Sequence, residues 1–153
     1  SKKDLCLRAG ADDFLTDYEP GVTSDLLNAF EKTGKSQLSV MEFDGLEISK
    51  YGVVVPGDQG SAIAGLIEKP DASDVPSNMA SIGRYVLTPD FFDTLRGLST
   101  GSGGEIQLAD AINIHAQQGF VEMVRLNGLR FDCGSVREYM AASIHEFESR
   151  RKF

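Results

Sequence analysis

Tyr51-Gly52-Val53-Val54-Val55 constrains the fold more than any other stretch. Three consecutive β-branched residues lose side-chain freedom in a helix and settle in an extended strand. The turn formers Pro56-Gly57-Asp58-Gln59-Gly60 follow, and Ile63 to Glu68 returns as a second apolar run, so the segment reads as a β-hairpin. Element types alternate around it. Thr23 or Ser24 can cap a helix carrying Leu26, Leu27 and Phe30, with Gly34 as its stop. Gln37 to Phe43, Met79 to Leu87 and Phe120 to Leu126 read as strands, and Leu5-Cys6-Leu7 as the end of another. Thr88-Pro89 is a helix start with proline at the first helical position, and Gly97 a stop. A second helix has Ile106, Ala109 and Ile112 on one face. A last helix opens at a Ser135/Glu138 capping box, with Val136, Met140, Ile144 and Phe147 expected on its buried side. This order predicts a mixed α/β domain.

The 153 residues suffice for one domain with its own core. A net charge of −8 argues against a nucleic-acid binder, which gathers basic patches, but leaves room for one small phosphate site. No apolar run approaches the roughly 20 residues of a membrane span, and no signal peptide is visible. Two distant thiols, Cys6 and Cys133, fit a reducing compartment. The expectation is a cytoplasmic protein without membrane or nucleic-acid partners.

The segment richest in chemistry is Gly65-Leu66-Ile67-Glu68-Lys69-Pro70. A strand ends in a carboxylate that can accept from sugar hydroxyls and an ammonium suited to a phosphate, and proline stops the strand. Taken alone, the pair reads more readily as a surface ion pair ahead of a turn. His115 and His145 have no partner histidine at ligand spacing and read as surface or packing residues. Phe91-Phe92 reads as core or a subunit contact. Gly101-Ser102-Gly103-Gly104 lacks the lysine of a P-loop and reads as a mobile loop.

Other segments stand in order with this one. Lys50-Tyr51-Gly52-Val53-Val54 precedes it. Pro76-Ser77-Asn78, Ile82-Gly83-Arg84-Tyr85-Val86-Leu87, Gly104-Glu105-Ile106-Gln107-Leu108-Ala109-Asp110-Ala111-Ile112 and Asp132-Cys133-Gly134 follow it. From about Asp12 to the end, this ordered set resembles the bacterial UDP-glucose pyrophosphorylases, nucleotidyltransferases that join a sugar 1-phosphate to a nucleotide. The resemblance covers residues 11–153 and leaves 1–10 as a leader.

The resemblance implies a partial Rossmann-like nucleotidyltransferase domain: a mixed sheet flanked by helices, with an added small antiparallel sheet. It implies attack of a glucose 1-phosphate oxygen on the α-phosphorus of UTP, with Mg²⁺ neutralising charge. By the same resemblance Asp12 and Asp132 hold Mg²⁺, Glu68 binds glucose hydroxyls, Lys69 binds the sugar's phosphate, and Gly52 lets the sugar approach backbone. Asn78 supports the sugar loop or satisfies a turn. Bare residue reading leaves Asp12 and Asp132 as loop residues and Gly52 as a bulge. The family's Gly-x-Gly-Thr-Arg loop and Pro-Lys motif are not in this sequence. The expectation is therefore the sugar-phosphate half of the enzyme, taking glucose 1-phosphate or UDP-glucose and inactive alone. The alternative is a non-catalytic sugar-nucleotide-binding or self-associating module. A sheet without its first strands is expected to expose an edge or face and form homo-oligomers.

Overall fold

A computed structural model describes residues 22–100, 104–131, 133 and 135–150. Helix α1 spans Val22–Thr33 and strand β1 Ser36–Glu42, and a 3₁₀ turn covers Leu46–Lys50. Strands β2 (Gly52–Pro56), β3 (Ile63–Glu68) and β4 (Met79–Val86) follow. Helices α2 (Phe91–Gly97) and α3 (Leu108–Gln117), strand β5 (Val121–Arg125) and helix α4 (Val136–Arg150) follow among the described residues. The strands form one sheet in the order β3-β2-β4-β1-β5. Among the described strands only β1 and β5 run parallel, from Ser36↔Val121 to Val40↔Arg125. The hairpin β2–β3 is antiparallel and joins the same sheet through Val53↔Ala80.

Strand β1 lies inside the sheet, between β4 and β5, and is buried from Ser36 to Val40. Alternation sends Leu38 and Val40 to one face, where they pack with Phe91, Ile112 and Ala116 of α2 and α3. Gln37 points to the other face, where its Nε2 donates to Thr33 Oγ1 at the end of α1 (3.0 Å). Helix α1 stops where Gly34 takes φ +68 and donates to Phe30 O (2.7 Å), the left-handed cap its glycine permits.

The start of β1 holds a half-buried polar cluster around Gln37. Gln37 Nε2 also reaches Glu122 Oε2 (3.2 Å), and Lys35 Nζ lies 3.3 Å from Glu122 Oε1. Burial pushes the Glu122 carboxyl up. Hydrogen bonds from Gln37, Lys35 and Thr33, with the Lys35 charge, outweigh it and hold the group below its ordinary 4.5. A depressed folded pKa means that the unfolded chain binds more protons. The stabilisation is therefore complete above the ordinary value and is lost as pH falls through the folded one. The urea midpoint should hold level, as far as this group is concerned, from pH 7 to about 5.5 and fall below about 4.5. Glu122→Gln should flatten that fall. An identical acid limb in the variant would show that the carboxylate contributes nothing.

Both outer edges of the sheet are engaged. On β3, Leu66 N–H donates to Asn113 Oδ1 of α3 (2.6 Å), and Asn113 Nδ2 donates to Leu66 O (3.0 Å). One side-chain amide thus pairs both backbone groups of Leu66, as a neighbouring strand would. On β5, Ala62 bridges Glu122 and Met123 N–H donates to Ser61 O (2.8 Å). At these points the edge groups bond within the chain.

Other expectations change as well. Helix α2 begins at Phe91 rather than Pro89: Phe91 N–H and Phe92 N–H bond back to Thr88 O and Pro89 O, so proline opens the turn before the helix. Ile106 precedes α3 and is exposed, and the buried face of α3 is Ala111, Ile112, His115 and Ala116. Half of the capping box forms, with Glu138 N–H donating to Ser135 Oγ (3.2 Å). Val136, Met140, Ile144 and Phe147, expected inside, are all more than half exposed. Helical spacing set the stripe on one face, but the described sheet does not cover it. His115 is a packing residue, with Nε2 2.7 Å from Thr94 Oγ1. Phe91 is core and Phe92 exposed. Among the described residues no helix is long and apolar enough to cross a membrane.

Candidate functional site

The hairpin register sets Gly52 directly opposite Glu68. A Cβ on Gly52 would lie 2.9 Å from Glu68 Oε2 and 3.2 Å from Leu66 Cδ2, so only glycine leaves the carboxylate where it is. Lys69 N–H donates to Tyr51 O (3.1 Å), carrying the ladder one residue beyond β3. Lys69 then takes φ +46, a left-handed conformation that costs a non-glycine residue about 1–2 kcal/mol. Such strain persists where surrounding contacts hold it and gathers at functional sites. Here the ladder bond on one side and buried Pro70 on the other hold it. The Lys69 ammonium and Glu68 carboxylate lie 4.0 Å apart and largely in solvent, so their pairing contributes little to stability.

Glu68 and Gly52 open onto a cleft of about 280 Å³, near the lower end of small-molecule sites. Tyr51, Ser81, Tyr85 and Arg130 line it with them. The Ser81 and Tyr85 hydroxyls are 3.0 Å apart. Arg130 Nη1 donates to Tyr51 OH (3.0 Å), and its guanidinium carbon lies 4.7 Å from the centroid of that ring. Phe43 flanks the same ring, centroids 4.9 Å apart. A bulge shapes the floor. Gly83 in β4 takes φ +82 opposite the register shift between Leu38 and Val40. Ser39 Oγ repairs the broken ladder, donating to Arg84 O (2.9 Å) and accepting from Arg84 N–H (3.2 Å).

A larger cavity of about 440 Å³ adjoins, between Met41, Ile82, Leu126, Phe131 and the Ala142–Glu146 stretch of α4. Arg130 and Ile82 line both spaces. Near the cleft the Glu47 carboxyl is held below its ordinary value by the hydrogen bond and charge of Lys50, 2.7 Å away.

The structure brings Gly52 and Glu68 together, with Lys69 next in sequence but outside the cleft lining. Asn78 is exposed ahead of β4 and is not part of that lining; its carbonyl accepts from Phe43 N–H (2.9 Å). Asp12 and Asp132 lie outside the described residues, and among the described residues no cluster of three or more metal-type ligands occurs. Sequence reasoning missed Arg130. Its signal was an arginine two residues before Asp132 in an acidic chain.

The nucleotidyl transferase family model matches residues 2–149. The chain is 39% identical over 137 residues to a Pseudomonas aeruginosa UTP–glucose-1-phosphate uridylyltransferase, covering 87% of this chain and 49% of the relative. It is 39% identical over 129 residues to the Streptococcus pyogenes enzyme of the same name, covering 80% and 42%. Its fold is similar to apo UDP-glucose pyrophosphorylase (TM-score 0.79, 34% identity, 89% of this chain and 51% of that one). It is also similar to a UDP-glucose pyrophosphorylase complexed with UDP-glucose (TM-score 0.76, 34% identity, 88% and 52%). The chain thus spans about half the length of the curated relatives it matches.

Proposed function

Because this chain belongs to the nucleotidyl transferase family, we propose that it is the sugar-phosphate-binding half of a UTP–glucose-1-phosphate uridylyltransferase. Its Gly52–Glu68 cleft would receive the glucose unit of glucose 1-phosphate or UDP-glucose. The observation that carries this is the Glu68 carboxylate laid over a residue without a Cβ, at the mouth of a polar cleft. A carboxylate accepts from two neighbouring hydroxyls, and a bare backbone lets a sugar ring lie close. Lys69, on the same strained turn, would reach the phosphate at the sugar's anomeric carbon.

Asp12 and Asp132 would hold Mg²⁺, since paired carboxylates supply the hard oxygens that ion prefers, and the bound ion would neutralise phosphate charge. The reaction would need no protein nucleophile, because the attacking atom is the sugar phosphate's own oxygen. Position and charge are what the residues supply. The nucleotide triphosphate would need donors of the Gly-x-Gly-Thr-Arg type, which this sequence does not contain. The chain alone therefore binds the product sugar nucleotide without turning over UTP.

Isothermal titration tests this directly. UDP-glucose added to the purified chain with Mg²⁺ should give saturable heat near one equivalent, and UTP with glucose 1-phosphate should release no pyrophosphate. Absence of heat would end the binding claim, and sustained pyrophosphate release would end the claim of inactivity.

A further inference from the structure

The geometry points to Arg130 as a ligand-binding residue of the same cleft, taking the phosphoryl oxygens of a sugar phosphate whose hydroxyls rest on Glu68; this rests on the sugar-phosphate reading above. Electrostatics demand such a group. Glu68 repels a phosphate, so a ligand carrying both hydroxyls and a phosphate needs a cation across from that carboxylate. Among the described residues two cationic side chains line the cleft, Lys50 and Arg130. The Lys50 ammonium is two-thirds exposed, on a flexible stem, and its donors define no plane. The Lys69 ammonium stands 69% exposed, outside the lining, so it would meet the anomeric phosphate from the solvent side and leave the oxygens turned into the cleft to a second cation.

Arg130 differs from both in being partly buried and oriented. Its guanidinium is laid against the Tyr51 ring and donates to the Tyr51 hydroxyl. An aromatic platform fixes the plane of the donor fork, and that fork matches the spacing of two phosphoryl oxygens. A lysine offers a charge without that plane. The platform is tied to the sugar corner, because the Tyr51 carbonyl accepts the Lys69 N–H and Tyr51 leads directly into Gly52. Arg130 also borders both the cleft and the larger cavity. A chain of phosphates leaving the glucose toward that cavity would pass its guanidinium.

Calorimetric titration with glucose 1-phosphate and UDP-glucose, at low and high salt, tests the assignment on the wild-type chain, Arg130→Gln, Arg130→Lys and Glu68→Ala. Arg130→Gln should weaken both ligands by about tenfold or more and make affinity less salt-dependent. Arg130→Lys, keeping the charge without the fork, should lose less and keep the salt dependence. A purely structural role would leave that dependence unchanged. Wild-type affinity and salt dependence in Arg130→Gln, with binding lost in Glu68→Ala, would overturn the arginine assignment alone. A wild-type chain that binds neither ligand would overturn it together with the cleft reading. Should Arg130→Gln fail to fold, Arg130→Lys decides: unchanged affinity for both ligands refutes the proposal.

Discussion

Glu68→Ala should weaken UDP-glucose binding by about a hundredfold while shifting the melting temperature by no more than about 2 °C. Two hydrogen bonds to a charged acceptor are worth about 1.5–3 kcal/mol each, water that fills the alanine site returns part of that, and about 2.8 kcal/mol is a hundredfold in Kd. The fold has little to lose. The carboxylate is about half exposed, and its lysine contact is long and wet. Gly52→Ala tests the same geometry from below. The new Cβ meets the flexible tip of Glu68 first, so the carboxylate swings away before the strand moves. Leu66 must give by a few tenths of an ångström. Affinity should fall by about tenfold, because even small misplacement of a binding group is costly. Titration and thermal melts on both variants read the two effects separately. Loss of stability equal to loss of binding would make Glu68 a structural residue.

Asn113→Ala should lower stability by about 2–4 kcal/mol, read from the urea midpoint. Leu66 is buried, and its N–H and C=O both end on the Asn113 amide. Removing that amide strands a donor and an acceptor, each costing about 1–3 kcal/mol when left unmade, less whatever water restores. Gly65 is the second half of the device. A Cβ there would sit 2.8 Å from Asn113 Oδ1, so Gly65→Ala should break the same contact. The two losses should not add: in the double variant, alanine at 65 has no amide left to strike. Strict additivity would refute the shared contact. Helix α3 thereby holds the strand that ends in Glu68, which makes the Asn113 amide part of the support for the site.

Much of the fold was legible from local chemistry. The valine run, the turn residues and the return strand announced the hairpin, and the structure keeps it at Gly52–Pro56 and Ile63–Glu68. Gly34 announced the end of α1. Misreadings came where a local rule needed a partner. The α4 stripe obeys helical spacing and still faces solvent, because periodicity names a face and not what covers it. Gln37 and Ser39 interrupt the apolar run of β1 and are nonetheless buried, because Thr33, Glu122 and Arg84 satisfy them from other elements.

The sequence by itself determined the order of helices and strands among the described residues (the strand end expected at Leu5-Cys6-Leu7 lies outside them), the hairpin, the pairing of a carboxylate with an ammonium at one strand end, and the family. These follow from side-chain shape, turn geometry and neighbours within a few positions. Only the tertiary structure decided that Gly52 lies beneath Glu68, that Asn113 closes the β3 edge and that Arg130 rests on Tyr51. Those contacts span 16, 47 and 79 positions of chain. Packing of the whole sheet alone brings such distant residues together, because burial of the shared core compensates the entropy of closing each loop.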